Sequence, residues 1–194
     1  MWPNPVNKVL DATDDYNIGI FGIAEPNTVF NDDLNTAINA SIKKCFGNGF
    51  IRAKSCPGKH TGYNPGGIMQ IIRGELAGRH KSSGTDKMGR YSWMTLRGRN
   101  DKTLCIITAY RVCQSKGTTP VSRESNTAHW QQVQAMIRYG AVAPDPRKQI
   151  LTDLSRFIDE RRNEGSETIL MADANESITE KTQNGKNFSL QLPT

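Results

Sequence analysis

The sequence predicts an α/β fold in which two packed β-sheets, mainly antiparallel or mixed, are flanked by helices. Three observations predict it. Short apolar runs bounded by turn residues recur along the chain, as buried strands do. Two of them, 91–98 and 103–110, are separated only by RNDK at 99–102, a hairpin connection. Helical patterns stand in stretches of their own, which favours layered sheets over the regular alternation of a βαβ nucleotide fold. No GxGxxG or GxxxxGK[ST] segment argues otherwise.

Residues 1–17 contain Asp, Asn and Pro without apolar periodicity and read as an irregular N-terminal segment before a domain spanning 18–194. IGIFGIA (18–24) is a buried strand, because it is short, continuously apolar and flanked by polar turn residues. Asn31 caps a helix with Asp32 and Asp33 in its first turn; Leu34, Ala37, Ile38 and Ile42 share one face, and Gly47 and Gly49 end it. Phe50 to Cys56 is a weaker strand. CPGKHTGYNPGG is a loop by its glycines and prolines, leading into a strand from Ile68 to Arg73. Tyr91 to Gly98 and Thr103 to Tyr110 are neighbouring strands. Thr127 to Tyr139 reads as a helix carrying Trp130, Val133, Met136 and Ile137. Asp145 and Pro146 open a longer helix through Asn163, by cap and first-turn preference, and Gly165 stops it. Thr168 to Ala172 is the last strand. The 18–24, 104–110 and 168–172 strands are expected to be central, since a strand covered on both faces need not alternate.

The chain has 194 residues, enough for one domain with a core, and its composition (36% hydrophobic, 23% charged) is that of a globular protein. No apolar run is long enough to span a bilayer, and the N-terminus lacks the basic and apolar regions of a signal peptide. That weakens the sequons at Asn39, Asn175 and Asn187. The four cysteines (Cys45, Cys56, Cys105, Cys113) form no CxxC pair and no zinc spacing, so a reducing compartment, nuclear or cytoplasmic, is expected. The net charge is +6; residues 73 to 116 hold ten Lys/Arg against three acids, a local +7, so the rest of the chain sums to −1. A concentrated basic segment fits a polyanionic partner, through counterion release, or a set of solvated loops.

Polar residues stand at the ends of three apolar strands: Glu25 after IGIFGIA, Tyr110 after LCIITA, and Asp173 after TILMA, with Asn175 two residues on. Strand ends at one rim hold convergent groups rigidly, although Asp, Asn and Glu are also ordinary turn residues. GIAEPN (22–27), YNPGGIMQII (63–72), ITAYRV (107–112) and MADANES (171–177) occur in the order and approximate spacing of the endonuclease/exonuclease/phosphatase superfamily, which the chain resembles over roughly residues 18 to 177. MGRYSWMTLRG (88–98) looks like the arginine-bearing strand of LINE-type (non-LTR) retroelement endonucleases, relatives of deoxyribonuclease-like and AP-endonuclease-like enzymes that accompany a reverse transcriptase.

The resemblance implies a four-layer αββα sandwich, here incomplete and truncated at both ends. It also implies a Mg²⁺-dependent phosphodiester hydrolase, an endonuclease acting on DNA. Glu25 resembles the carboxylate that holds Mg²⁺, a cation that prefers hard oxygen ligands. Asp173 resembles the general base for the attacking water, Asn175 the amide that bonds a phosphate oxygen, and Tyr110 the hydroxyl that assists it. Asn27 resembles a residue that helps position Glu25, and with Arg90 and Arg97 makes up the expected nucleic-acid-binding set.

Two family groups have no counterpart by pattern: a first-strand Asn and a C-terminal Ser-Asp-His. His60 and His80 fall in loops, and His129 sits beside Trp130 in a helix, a surface or packing position. MADANES keeps the polar pair where close relatives have Gly-Asp-Phe-Asn. Little nicking of supercoiled plasmid is therefore expected of this chain. Two further readings stay open: a catalytically inactive remnant that binds nucleic acid, and a phosphoesterase acting on a small phosphorylated molecule.

Overall fold

The computed structural model describes residues 12–58, 62–113 and 127–176. The described strands and helices run β1 (Ile20–Ala24), α1 (Asp32–Phe46), β2 (Gly49–Lys54), β3 (Ile68–Arg73), a 3₁₀ turn (Gly74–Arg79), β4 (His80–Thr85), β5 (Tyr91–Arg97), β6 (Thr103–Tyr110), α2 (Ala128–Arg138), α3 (Pro146–Asn163) and β7 (Ser166–Asp173). One sheet has the order β1-β3-β2, all antiparallel; the other has the order β4-β5-β6-β7, with only the β6–β7 pair parallel. A parallel pair needs a long crossover, and the chain between β6 and β7 supplies it with α2 and α3.

Side-chain alternation builds the layers. On β3, Met69 and Ile71 face α1 and pack with Ile38, Ile42 and Ile51. Ile72 faces the other way and meets Met94, Leu96 and Ile106 of the second sheet. On β6, Ile106 faces the first sheet, while Cys105, Ile107 and Ala109 face Leu154 and Ile158 of α3. Helix, sheet, sheet and helix thus stack as four layers, the α/β architecture expected. At Gly22 the sheets approach closely: a Cβ there would lie 2.2 Å from the Thr108 Cγ2.

The helices begin where their caps predict. Asn31 Oδ1 accepts the Leu34 amide at 2.8 Å, Thr127 Oγ1 accepts that of Trp130 at 3.2 Å, and Asp145 Oδ1 accepts those of Arg147 (2.9 Å) and Lys148 (3.1 Å). The apolar faces differ in detail. Ala37 is exposed in α1, and α2 buries Ala128, Gln131, Gln132, Ala135 and Met136 while leaving Ile137 48% exposed.

Two strand expectations need correction. Of the three strands expected to be central, only β6 is inside a sheet; among the described residues β1 and β7 are the terminal strands of theirs. Apolar residues on both faces of a strand report what covers the faces, not what pairs with the edges. Ile169 of β7 remains 48% exposed. His80 is not in a loop: it opens β4, where its ring stands edge-on to Phe50 at 4.3 Å. HKSSGT carries no apolar run, so nothing in its composition announces a strand. Residues 12–15 form a helical turn within the segment read as irregular. Arg73, 7% exposed, ties it down through Asp14 (2.9 Å), the Thr13 carbonyl and the Ile18 carbonyl (2.6 Å).

Candidate active site

The ends of β1, β6 and β7 meet at one rim. Tyr110 is paired in register with Asp173, so the two side chains share the face that looks at the first sheet. There Tyr110, 1% exposed, packs with Ile68, Val112, Ala128 and Ala24, the last residue of β1. Its hydroxyl donates to the Glu25 carboxylate. Burial, then that hydrogen bond and charge, with smaller contributions from Cys113 and Asp173, raise its pKa far above the ordinary tyrosine value. Tyr110 is therefore a phenol, a hydrogen-bond donor, at any working pH.

Glu25 is held by the loop before β3. Its amide donates to the Gly67 carbonyl at 3.1 Å, and its Oε1 accepts the Gly66 amide at 3.1 Å. Gly66 and Gly67 have φ of 73° and 86°, and a Cβ on Gly67 would sit 3.0 Å from the Lys54 carbonyl oxygen. Only glycine serves there. Asn27 Oδ1 accepts the Asn64 amide at 2.7 Å, clipping the same loop two residues upstream. Glu25, Asn27 and Asn175 all adopt positive φ (48°, 47° and 47°). Asparagine tolerates this region, but glutamate visits it rarely, at a cost of about 1–2 kcal/mol. Such strain concentrates at functional positions.

After β7 the chain turns tightly. Asp173, exposed, accepts the Asn175 amide on Oδ1 at 3.1 Å. The Asn175 Nδ2 donates to the Arg111 carbonyl at 2.7 Å, and its Oδ1 accepts from the Cys113 thiol at 3.2 Å. Glu176 receives both Arg111 Nη1 and Arg147 Nη2 on one carboxylate oxygen. Arg147, 8% exposed, also donates to the Val112 carbonyl, and its own carbonyl accepts Arg111 Nε at 3.1 Å. Burial works against the charge of Glu176, yet its hydrogen bonds and the charges of Arg111 and Arg147 hold its pKa below the ordinary glutamate value. Nothing in the sequence pattern singled out Arg147 or Glu176, because they lie 29 residues apart and Glu176 lies 65 from Arg111.

The four strand-end residues thus come together; of the two arginines expected to touch nucleic acid, Arg90 reaches them only through its backbone, its carbonyl accepting the Tyr110 amide at 2.7 Å, and Arg97 does not reach them. Arg90 is 5% exposed, with Nε on Asp86 at 2.7 Å and Nη2 on Asp153 at 2.8 Å. It lies inward because two carboxylates take its donors. Arg97 is exposed but stands opposite Thr103, at the other end of β5 from Tyr91, which pairs with Ala109. Six residues of strand separate those ends, roughly 20 Å. The basic segment is likewise no single track. Arg73 and Arg90 are spent internally, Lys102 pairs with Glu167 at 2.8 Å, and Lys116 lies outside the described residues. His60 also lies outside them. Cys56, beneath the rim, is inert: burial pushes its thiol up to about 12 despite a hydrogen bond to Gln132.

A cleft of about 410 Å³ opens beside this rim, lined by Arg111, His129, Arg147 and Lys148 among others. No family model and no curated protein matches the sequence. Solved structures do. The human Nocturnin catalytic domain, described with a bound sulfate anion, superposes with a TM-score of 0.53 at 14% identity, over 93% of this chain and 60% of that one. ANGEL2, described as a 2′,3′-cyclic phosphatase, gives a TM-score of 0.50 at 12% identity, over 92% of this chain and 45% of that one. A weaker likeness (TM-score 0.36, 11% identity, 71% and 57% coverage) is to an endonuclease/exonuclease/phosphatase family protein from Leptotrichia buccalis C-1013-b. The likeness is one of fold, and this chain spans about half the length of the first two.

Proposed function

We propose that this chain is a divalent-metal-dependent phosphodiester hydrolase domain acting on nucleic acid, with DNA as substrate and a LINE-type retroelement as its origin. The observation that carries the reading is Glu25: a glutamate in the left-handed region, its carboxylate fixed by Gly66 and Tyr110, at the rim where Asp173 ends β7. A carboxylate held in a strained backbone conformation at the ends of the strands is placed to meet a ligand there. The fold it shares with a sulfate-bound catalytic domain and a cyclic phosphatase supports a phosphoester substrate.

The residues fit Mg²⁺. That ion takes one or two carboxylates and fills its other positions with water and substrate oxygens. Glu25 offers one such carboxylate at the rim. Glu25 would hold the ion, which when bound would offset charge on the scissile phosphate. Asp173 takes the proton of the attacking water. Tyr110 keeps its proton and donates it in a hydrogen bond, fixing the Glu25 carboxylate. Asn175 has a second amide hydrogen for a phosphate oxygen beyond the one given to Arg111.

The test compares duplex DNA, single-stranded RNA and a small aryl phosphodiester as substrates of the full chain in Mg²⁺. DNA cleavage is expected to be slow, because the first-strand Asn and the C-terminal His have no counterpart by pattern, to be lost on chelation, and to weaken steeply with salt, since backbone contacts carry such binding. Turnover of the small diester alone would replace this reading with that of a small-molecule phosphoesterase.

A further inference from the structure

The cleft beside the rim has no part in the chemistry above. It lies where α2 and α3 begin: His129 is the second residue of α2, and Arg147 and Lys148 are in the first turn of α3. Arg111 forms the wall nearest the rim. It follows Tyr110 directly, and its amide donates to the Asp173 carbonyl at 2.9 Å. A small apolar recess containing Asp173 shares Arg111 and Leu151 with the cleft, so the two are contiguous. Its volume, about 410 Å³, is that of a small-ligand site.

Charge decides what the cleft suits. Its lining holds three cationic side chains and one carboxylate, Asp145, whose Oδ1 already caps α3. Arg111 and Arg147 share Glu176. Lys148 is exposed and forms no ion pair among the described residues, so its charge is unbalanced. His129 is half-buried; burial lowers its pKa, Asp145 opposes that and Arg147 adds to it, so the ring is a neutral donor or acceptor near neutral pH. An ammonium, an imidazole and a guanidinium around one space are donors for a phosphate. Pro144 and Leu151 give the same space an apolar wall suited to a sugar or base.

We propose that this cleft binds a second phosphate group of the substrate, flanking the one at the rim. The proposal rests on the phosphodiesterase reading and deepens it by naming what the enzyme grips beside the scissile bond. The phosphate is either an internal backbone diester or a terminal monoester; the chemistry is shared.

The experiment measures binding, not turnover. Inorganic phosphate, the dinucleotide TpT and its 5′-phosphorylated form pTpT are titrated into the metal-free full chain. The His129 imidazole is followed by ¹H–¹⁵N NMR, its signal identified with His129→Gln. The signal is expected to shift on titration, Lys148→Glu to weaken binding at least about tenfold, and Lys148→Arg to restore most of it. Lys44→Glu, in the last turn of α1 on the outer face of the other sheet, should change nothing. Equal binding of TpT and pTpT assigns the cleft to an internal phosphate, and preference for pTpT assigns it to a terminal one. A His129 signal unmoved by all three probes, or Lys148→Glu binding as tightly as wild type, overturns the proposal. Cleavage of DNA with undiminished binding by Lys148→Glu removes the cleft alone. Phosphate binding without cleavage removes the hydrolase reading and leaves the cleft.

Discussion

Glu25→Gln is expected to lower the rate of phosphodiester cleavage in Mg²⁺ by about 10² to 10³, the loss that follows removal of one group aimed at transition-state charge. The substitution keeps the side chain's shape and an oxygen that can accept the Gly66 amide. Folding should therefore be unaffected. What goes is the charge that binds the cation, so apparent metal affinity, read by Mn²⁺ titration, should fall with the rate. A rate restored by raising Mg²⁺ would separate weakened metal binding from a loss of chemistry. Unchanged metal affinity and unchanged rate would remove Glu25 from the site.

Arg90→Ala is expected to cost about 3–5 kcal/mol of stability, because it leaves buried carboxylate charge without its partner. Asp86 is 5% and Asp153 16% exposed at the side chain, and each bonds the guanidinium. Asp86 Oδ1 also accepts the Arg90 and Tyr91 amides at 2.5 and 3.3 Å, so the ion pair fixes the start of β5. In a chain of this size each kcal/mol moves the midpoint by about 2–4 °C, so thermal melting should fall by roughly 10 °C. The salt dependence of nucleic-acid binding should not change, since a guanidinium held inside neutralises no phosphate. A normal melting temperature with a shallower salt slope would reinstate Arg90 as a surface contact.

Local signals were the legible part of this fold. Asn31, Thr127 and Asp145 begin their helices because a cap satisfies amides two or three residues away, and β3 and β6 have the bounds their apolar runs suggest. The strand β4 was invisible because its pairing with β5, not its own composition, makes it a strand. Strand order was misread for β1 and β7 because apolar faces carry no information about edges. The rim was legible for a related reason. Glu25, Tyr110 and Asp173 each end an apolar run, so local sequence marks them even though only the β6–β7 register and the Tyr110–Glu25 hydrogen bond bring them together. The destinations of arginines were not. Whether a guanidinium faces solvent, as in Arg97, or Asp86 and Asp153, as in Arg90, is set by contacts up to 63 residues away. The Arg111–Glu176–Arg147 cluster is likewise assembled from three segments, and only the folded chain shows it.

The most direct test of the account is cleavage of a DNA oligonucleotide in H₂¹⁸O by the wild-type chain and by Asp173→Asn, side by side in Mg²⁺. The wild type should release a phosphate-ended product carrying one solvent oxygen, because water is the nucleophile. Asp173→Asn should do so at least about 10²-fold more slowly, because the amide cannot take the water's proton. Equal rates for the two proteins, or a product without solvent oxygen, would contradict hydrolysis at the rim of Glu25, Tyr110 and Asp173.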